Sequence, residues 1–251
     1  MSDVMKNTIY IVGIGPGGKE SMTIEADNVL KKADVIVGYE IYLELVKDTY
    51  PNAEYISTPM RQEKKRCEMA YEEAAKGKSV AIICSGDAGI YGMASLMYEE
   101  LASKDVKQYE LTVVAGVTAA ISGAAILGAP IGHDFCVISL SDLLTPWEVI
   151  VKRLRAAAEG DFVIVLYNPS SHKRADYLDR VKDILCEYME PERICGIANL
   201  IGREGQNRKL CKLSELGDAG ADMFSTVFIG SSTTRVINGN MVTPRGYTTN
   251  D

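Results

Sequence analysis

Histidine is almost missing from this chain of 251 residues, which has two, His133 and His172. Six cysteines are present (Cys67, Cys84, Cys136, Cys186, Cys195 and Cys211), but no two stand in a Cys-x-x-Cys pair. Zinc sites draw on cysteine and histidine clustered at short spacing, so no resident metal is expected. Cys84 and Cys136 lie in apolar runs and read as small core residues. Net positive charge is also lacking: Lys and Arg number 27 against 34 Asp and Glu, a formal charge of −7. That balance argues against a protein that coats nucleic acid. No apolar run reaches the roughly 18 residues that span a bilayer, and the opening MSDVMKNT is too polar for a secretory signal. The expectation is a reduced, cytoplasmic protein with no membrane partner.

What the chain has is alternation. Hydrophobic residues make up 47% of it and charged residues 24%, a composition that buries a core. Its length fits one large domain or two modest ones. TIYIVGI, DVIVG, EYIST, SVAIICS and ELTVVAG are short, β-rich runs. Between them, TIEADNVLKKA and QEKKRCEMAYEEAAKG have helical spacing; the second puts Cys67, Ala70 and Ala74 on one face and ends at Gly77. This order implies a mostly parallel sheet covered on both faces, with binding groups in the loops after the strands' carboxyl ends. Gly128, Pro130 and Gly132 then break the pattern, which places the domain link there: an α/β domain over 1–130 and a second, with a mixed sheet, over 131–251. The second has strands FCVISL, DFVIVLYN, RICGIANLI and STVFIG and helices PWEVIVKRLRAAAEG and HKRADYLDRVKDILCEYM. Thr145 is the expected N-cap before Pro146. The tail from Asn238 reads as polar and loosely held.

IYIVGIGPGGKES, residues 9–21, fits two phosphate-binding patterns at once. Gly13, Gly15 and Gly18 make a dinucleotide fingerprint with Glu40 as its ribose acid, and Gly13 through Lys19 makes most of a P-loop. The P-loop needs Ser or Thr after its lysine, and Glu20 stands there instead. Against the dinucleotide stand Pro16, which has no N–H, and a helix that starts late, with Ser21 or Thr23 as its cap. Two further glycine-rich stretches follow predicted strands: GDAGIYGMA (86–94) and GVTAAISGAA (116–125). Three such loops on one sheet edge line a crevice. Asp87 is the only charge in the later two, which favours a zwitterionic or cationic ligand over a phosphate.

VGIGPGGKESMT, SGDAGIYG and AGVTAA, in that order, resemble the signatures of the tetrapyrrole (corrin/porphyrin) methyltransferases, across nearly the whole chain. SGDAGIYGMA, DFCVISLSDLLTPWEVI, FVIVLYNPSS and MVTPRGY are similar to the branch that methylates C17 and contracts the ring in cobalamin synthesis. The resemblance implies two α/β domains with S-adenosyl-L-methionine folded into a cleft between them, in a homodimer that acts on a tetrapyrrole. Carried over by position, Pro16, Ser85, Gly86, Asp87, Ile90, Thr118 and Ala119 belong to the cofactor loops. Asn168, in LYNP, and Leu200, in ANLIG, belong near the adenosine.

Methyl transfer from a sulfonium chiefly needs alignment, so Asp87 is read as positioning the cofactor; an Asx-type turn is its competing role, which Asn would fill equally. Ring contraction needs proton traffic, for which Asp142 and His133 are the catalytic candidates. Asp142 could equally cap the helix near Pro146, and a lone histidine is more often structural than catalytic. A polycarboxylate substrate needs local cations. MRQEKKR supplies Arg61, Lys64, Lys65 and Arg66, with Arg61 favoured at a loop start; SHKR (171–174, within SSHKR) and Arg245 follow, and Tyr91 is a further substrate contact. Methylation at another ring position, an NAD-dependent oxidoreductase built on the glycine loop and a non-catalytic tetrapyrrole carrier are the alternatives.

Overall fold

The computed structural model describes residues 7–104, 107–171 and 174–247. His172 and Lys173 of SSHKR, and the last four residues of the tail, therefore lie outside the described residues. The chain divides into two compact units between Thr118 and Ala119.

The first unit carries β1 (Asn7–Gly13), α1 (Ile24–Leu30), β2 (Val35–Tyr39), α2 (Glu40–Glu44), β3 (Glu54–Thr58), α3 (Glu63–Ala75), β4 (Val80–Cys84), α4 (Ala94–Leu101) and β5 (Tyr109–Val114). Its five strands are all parallel, in the order β3-β2-β4-β1-β5. A sheet covered on both faces needs apolar residues in both alternating sets, and β4 is buried at every position. One set (Ile9, Ile11, Val35, Val37, Ile82) packs on Cys67, Ala70, Tyr71 and Ala74 of α3 and on Met97 of α4. The other (Val12, Ile36, Ala81, Ile83) packs on Ala26 and Leu30 of α1 and on Leu43 of α2. Thr23 is the cap of α1, its Oγ1 accepting from Ala26 N at 3.1 Å.

The second unit carries α5 (Ala119–Leu127), β6 (Gly128–Ala129), β7 (Phe135–Ser139), α6 (Trp147–Glu159), β8 (Val163–Tyr167), α7 (Tyr177–Leu185), β9 (Ile194–Asn199), β10 (Asn207–Lys212), β11 (Ser225–Ile229), β12 (Arg235–Ile237) and β13 (Asn240–Val242). Its main sheet runs β10-β9-β11-β8-β7. β7 and β8 are parallel, while β11 is antiparallel to both β8 and β9. The sheet is thus mixed, and β7, β8 and β9 share one direction, with their carboxyl ends on one edge.

Four features differ from the sequence reading. The third glycine stretch is loop only as far as Thr118; from Ala119 its alanine-rich continuation is α5, in keeping with alanine's helix propensity. α5 packs on the second sheet, and Gly123 leaves room there for Phe228, to whose ring a Cβ would come within 3.0 Å. The division accordingly falls before α5, whereas the Gly/Pro cluster put the link after it. From Asn238 to Thr243 the tail is not loose: Met241 is fully buried, β13 pairs with both β12 and β6, and Thr243 Oγ1 donates to Pro130 O. Lastly, Pro146 itself occupies the cap of α6 in an extended conformation, with no side-chain cap bond, so Thr145 is not the cap. Among the described residues no helix is long and apolar enough to cross a membrane.

Candidate active site

At the carboxyl edge of the parallel sheet three glycines, one from each loop, meet backbone to backbone. A Cβ on Gly116 would lie 2.1 Å from Gly86 O and 2.6 Å from Gly13 O; one on Gly13 would lie 2.7 Å from Gly86 O. Gly15 and Gly86 form a two-way bridge, N to O at 3.0 and 2.9 Å, and Ile14 N donates to Cys84 O at 2.9 Å. Gly15 and Gly86 both have positive φ, 72° and 69°, where glycine carries no Cβ penalty. Two of the first loop's N–H groups are therefore spent on the second loop, and Pro16 has none. α1 starts only at Ile24, and Lys19 turns to Asp27 at 3.5 Å. The glycines pack loop on loop and build neither phosphate cradle.

Asp87 completes this junction. Its Oδ1 accepts from Gly89 N (2.8 Å) and Ile90 N (3.1 Å), and its Oδ2 accepts from Gly116 N (2.9 Å). The first pair is the Asx-type turn; the third bond ties the second loop to the third. Asn would not serve here, because it offers one acceptor oxygen and would turn an NH2 toward Gly116 N–H. Next to this carboxylate, Ile90 and Tyr91 stay 42% and 56% exposed, leaving apolar surface on the edge. Cys84, at the end of β4, accepts from Met93 N, and burial pushes its thiol up to about 12, so it is no nucleophile.

Six residues other than glycine have positive φ among the described residues: Arg61, Tyr91, Asp161, Asn168, Leu200 and Asn238. Such conformations cost roughly 1–3 kcal/mol each and gather where function over-determines the backbone. Five of the six follow strand carboxyl ends: Asn238 in the turn after the short β12, and, on the two main sheets, Arg61 after β3, Tyr91 after β4, Asn168 after β8 and Leu200 after β9. In the second unit Asn168 Nδ2 donates to Ser139 Oγ at 3.0 Å, and Tyr167 Oη accepts from Ala120 N at the start of α5. Beside Leu200, Asn199 donates from Nδ2 to Asp222 Oδ1 (3.2 Å) and Ser225 Oγ (3.1 Å). Its Oδ1 is buried with no partner among the described residues.

The profile of the tetrapyrrole (corrin/porphyrin) methylases matches residues 8–217, which takes in all of these loops. The chain belongs to that family. It is 47% identical to a probable cobalt-factor III C(17)-methyltransferase of Salmonella typhimurium, over 96% of this chain and 99% of that one. It is 37% identical to a precorrin-3B C(17)-methyltransferase of a Sinorhizobium species, over 97% and 98%. The crystal structure of the methyltransferase CobJ superposes with a TM-score of 0.89 at 36% identity, covering 94% of this chain and 99% of that one.

In this tetrapyrrole methylase the remaining sequence candidates scatter. His133 precedes β7 and Asp142 follows it, so a strand of about 16 Å stands between them. His133 is exposed, with Nδ1 3.4 Å from Asp134 Oδ2. Asp142 accepts from Tyr177 Oη at 2.7 Å, and this bond holds its carboxyl below the usual carboxylate range, the wrong direction for a base working near neutrality. Arg61 and Arg245 are exposed. Arg66, read from sequence as part of a cation cluster, is instead buried: its Nε donates to Thr58 Oγ1 (2.8 Å) and its Nη2 to Pro59 O (3.3 Å), holding the loop after β3. The sequence reading passed over Asn199 and Tyr177; the apolar moment of α7 would have marked Tyr177 only as core.

Asp87→Asn is expected to lower stability by about 1–3 kcal/mol, the penalty for a buried donor left unmet, measured by urea unfolding; an unchanged midpoint would contradict the cross-link. Asp142 adds stability above its ordinary pKa, and that contribution is lost as pH falls through the lowered value. Tyr177→Phe should therefore raise the Asp142 pKa toward the usual range in a carboxyl 13C NMR titration. An unmoved pKa would contradict the assigned cause.

Proposed function

We propose that this chain transfers a methyl group from S-adenosyl-L-methionine to C17 of a corrin precursor, with ring contraction, in cobalamin biosynthesis. The substrate is precorrin-3B, giving precorrin-4, or cobalt-factor III, giving cobalt-precorrin-4 with two electrons from an external reductant. One observation carries this reading: 47% identity to a probable cobalt-factor III C(17)-methyltransferase over 96% of this chain and 99% of that one. The higher identity to the cobalt-factor III relative than to the precorrin-3B relative, 47% against 37%, favours the cobalt-bearing substrate. In this reading cobalt travels inside the substrate.

The residues fit the cofactor. When bound, S-adenosyl-L-methionine supplies a methyl already activated on a sulfonium. The junction of the first unit offers Pro16, Ser85, Gly86, Asp87, Ile90 and Thr118 in loops that cannot drift, because their backbones touch. Positioning of this kind is worth roughly 7–11 kcal/mol in a well-aligned reaction. The second unit contributes Ala119, Asn168 and Leu200. Beside Leu200, the orphaned Asn199 Oδ1 is an acceptor suited to an exocyclic amine such as adenine's. Ile90 and Tyr91 help keep water from the transfer. The Asp87 carboxylate is spent on three backbone N–H groups, so its part is to hold the loops. The same reading has the enzyme acting in the cytoplasm as a homodimer.

Purified protein given S-adenosyl-L-methionine with precorrin-3B, or with cobalt-factor III and a two-electron reductant, should yield a ring-contracted product with one added methyl. NMR of product labelled from a 13C-methyl donor should put that methyl on C17. Labelling of another carbon, or no turnover of either substrate, would overturn the proposal.

A further inference from the structure

The second unit's edge holds a cation that the cofactor loops do not use. Arg180, on α7, is half-buried, its guanidinium centre 4.0 Å from the Trp147 ring and 5.0 Å from the Tyr177 ring. Those rings lie 4.6 Å apart by centroid. Among the described residues the Arg180 guanidinium has no hydrogen bond and no ion pair, while other basic groups of this unit are committed: Arg155 to Glu187, Lys182 to Asp179, Arg193 to Asp161. Aromatic contact fixes a guanidinium without using any of its five N–H donors.

Arg174 stands beside it. Its Nη1 donates to Leu140 O (3.3 Å) and its Nε to Ser171 Oγ (3.1 Å), and its guanidinium lies 6.0 Å from the same Tyr177 ring. Asp142 faces the pair electrostatically but bonds to Tyr177 and ion-pairs with neither arginine. Asp176 and Asp183 stand about one turn either side of Arg180 on the same helix and Glu148 adjoins Trp147, so what sets this edge apart is the unpaired Arg180 guanidinium and not its net charge. The loop that carries Asp142 follows β7 and holds up two uncovered apolar side chains, Leu143 at 64% and Leu144 at 98% exposure. Because β7, β8 and β9 run in one direction, this loop shares its edge with Asn168 and Leu200.

A donor fork next to an exposed apolar ledge matches a ligand with a flat apolar face and carboxylates on its rim. We propose that Arg180, stacked on Trp147 and Tyr177 and flanked by Arg174, binds one peripheral carboxylate of the macrocyclic substrate while Leu143 and Leu144 meet its ring face. Arg180 replaces Arg61 and Arg245 as the substrate's principal cation. This inference rests on the function proposed above.

The test compares wild type with Arg180→Gln and Arg180→Lys, with Arg153→Gln as an exposed control on α6. It reads macrocycle Kd and KM, kcat, and S-adenosylhomocysteine Kd by calorimetry. Loss of a charge-assisted bond, about 1.5–3 kcal/mol, corresponds to a rise of about ten-fold or more in macrocycle Kd and KM for Arg180→Gln. S-adenosylhomocysteine affinity should hold. Arg180→Lys should recover part of the loss, since it keeps the charge without the fork. Amidating the rim carboxylates should erase the difference between wild type and Arg180→Gln. Equal macrocycle affinity in wild type and Arg180→Gln overturns this inference alone, as does a loss matched in Arg153→Gln or in S-adenosylhomocysteine binding. Wild type that binds no macrocycle overturns the proposed function as well.

Discussion

The first unit depends on one contact: three loop backbones closing on each other at Gly13, Gly86 and Gly116, with no side chain between them. At 2.1 Å from a carbonyl oxygen, no Cβ fits on Gly116, so glycine there is a packing requirement before it is anything else. Asp87 is what makes the contact hold. A turn alone would use one of its oxygens; the second oxygen reaches Gly116 N and turns three neighbouring loops into one body. A sheet edge ordinarily presents mobile loops, and here the mobility is removed by backbone hydrogen bonds. Pre-organisation of that kind suits a reaction in which alignment supplies most of the help.

The same junction explains why the sequence pattern misleads. Dinucleotide and nucleotide loops use glycine to let a phosphate approach the backbone. In this chain another loop takes the phosphate's place: the N–H groups of Ile14 and Gly15 point to Cys84 O and Gly86 O. The pattern of glycines is alike because the requirement, a close approach to bare backbone, is alike. Only the partner differs.

Much of the fold was legible because strands buried on both faces must be largely continuous apolar runs, and β1, β4, β8 and the antiparallel β11 are. The amphipathic face of α3 was equally clear through Cys67, Ala70 and Ala74. β10, with its exposed NRK, and the short β6, β12 and β13 were not, since their pairing is decided by tertiary contacts such as the burial of Met241. α5 hid behind a glycine that looked like a loop residue until Phe228 was seen beneath it. For the site, the loops could be read in order, but the partner of each polar group could not. Asp87 reads as a ligand contact or a turn until its three N–H donors are seen. Arg66 reads as one of a cluster of surface cations, and its burial under Pro59 and Thr58 follows from helix phase and loop path together.

The most direct test of this account is a calorimetric titration of the wild-type protein with S-adenosylhomocysteine, with NAD in parallel. The account predicts saturable binding of the former and no heat from the latter, since the loop has no phosphate cradle to offer. Saturable NAD binding without S-adenosylhomocysteine binding would contradict it and return Gly13, Gly15 and Gly18 to the dinucleotide.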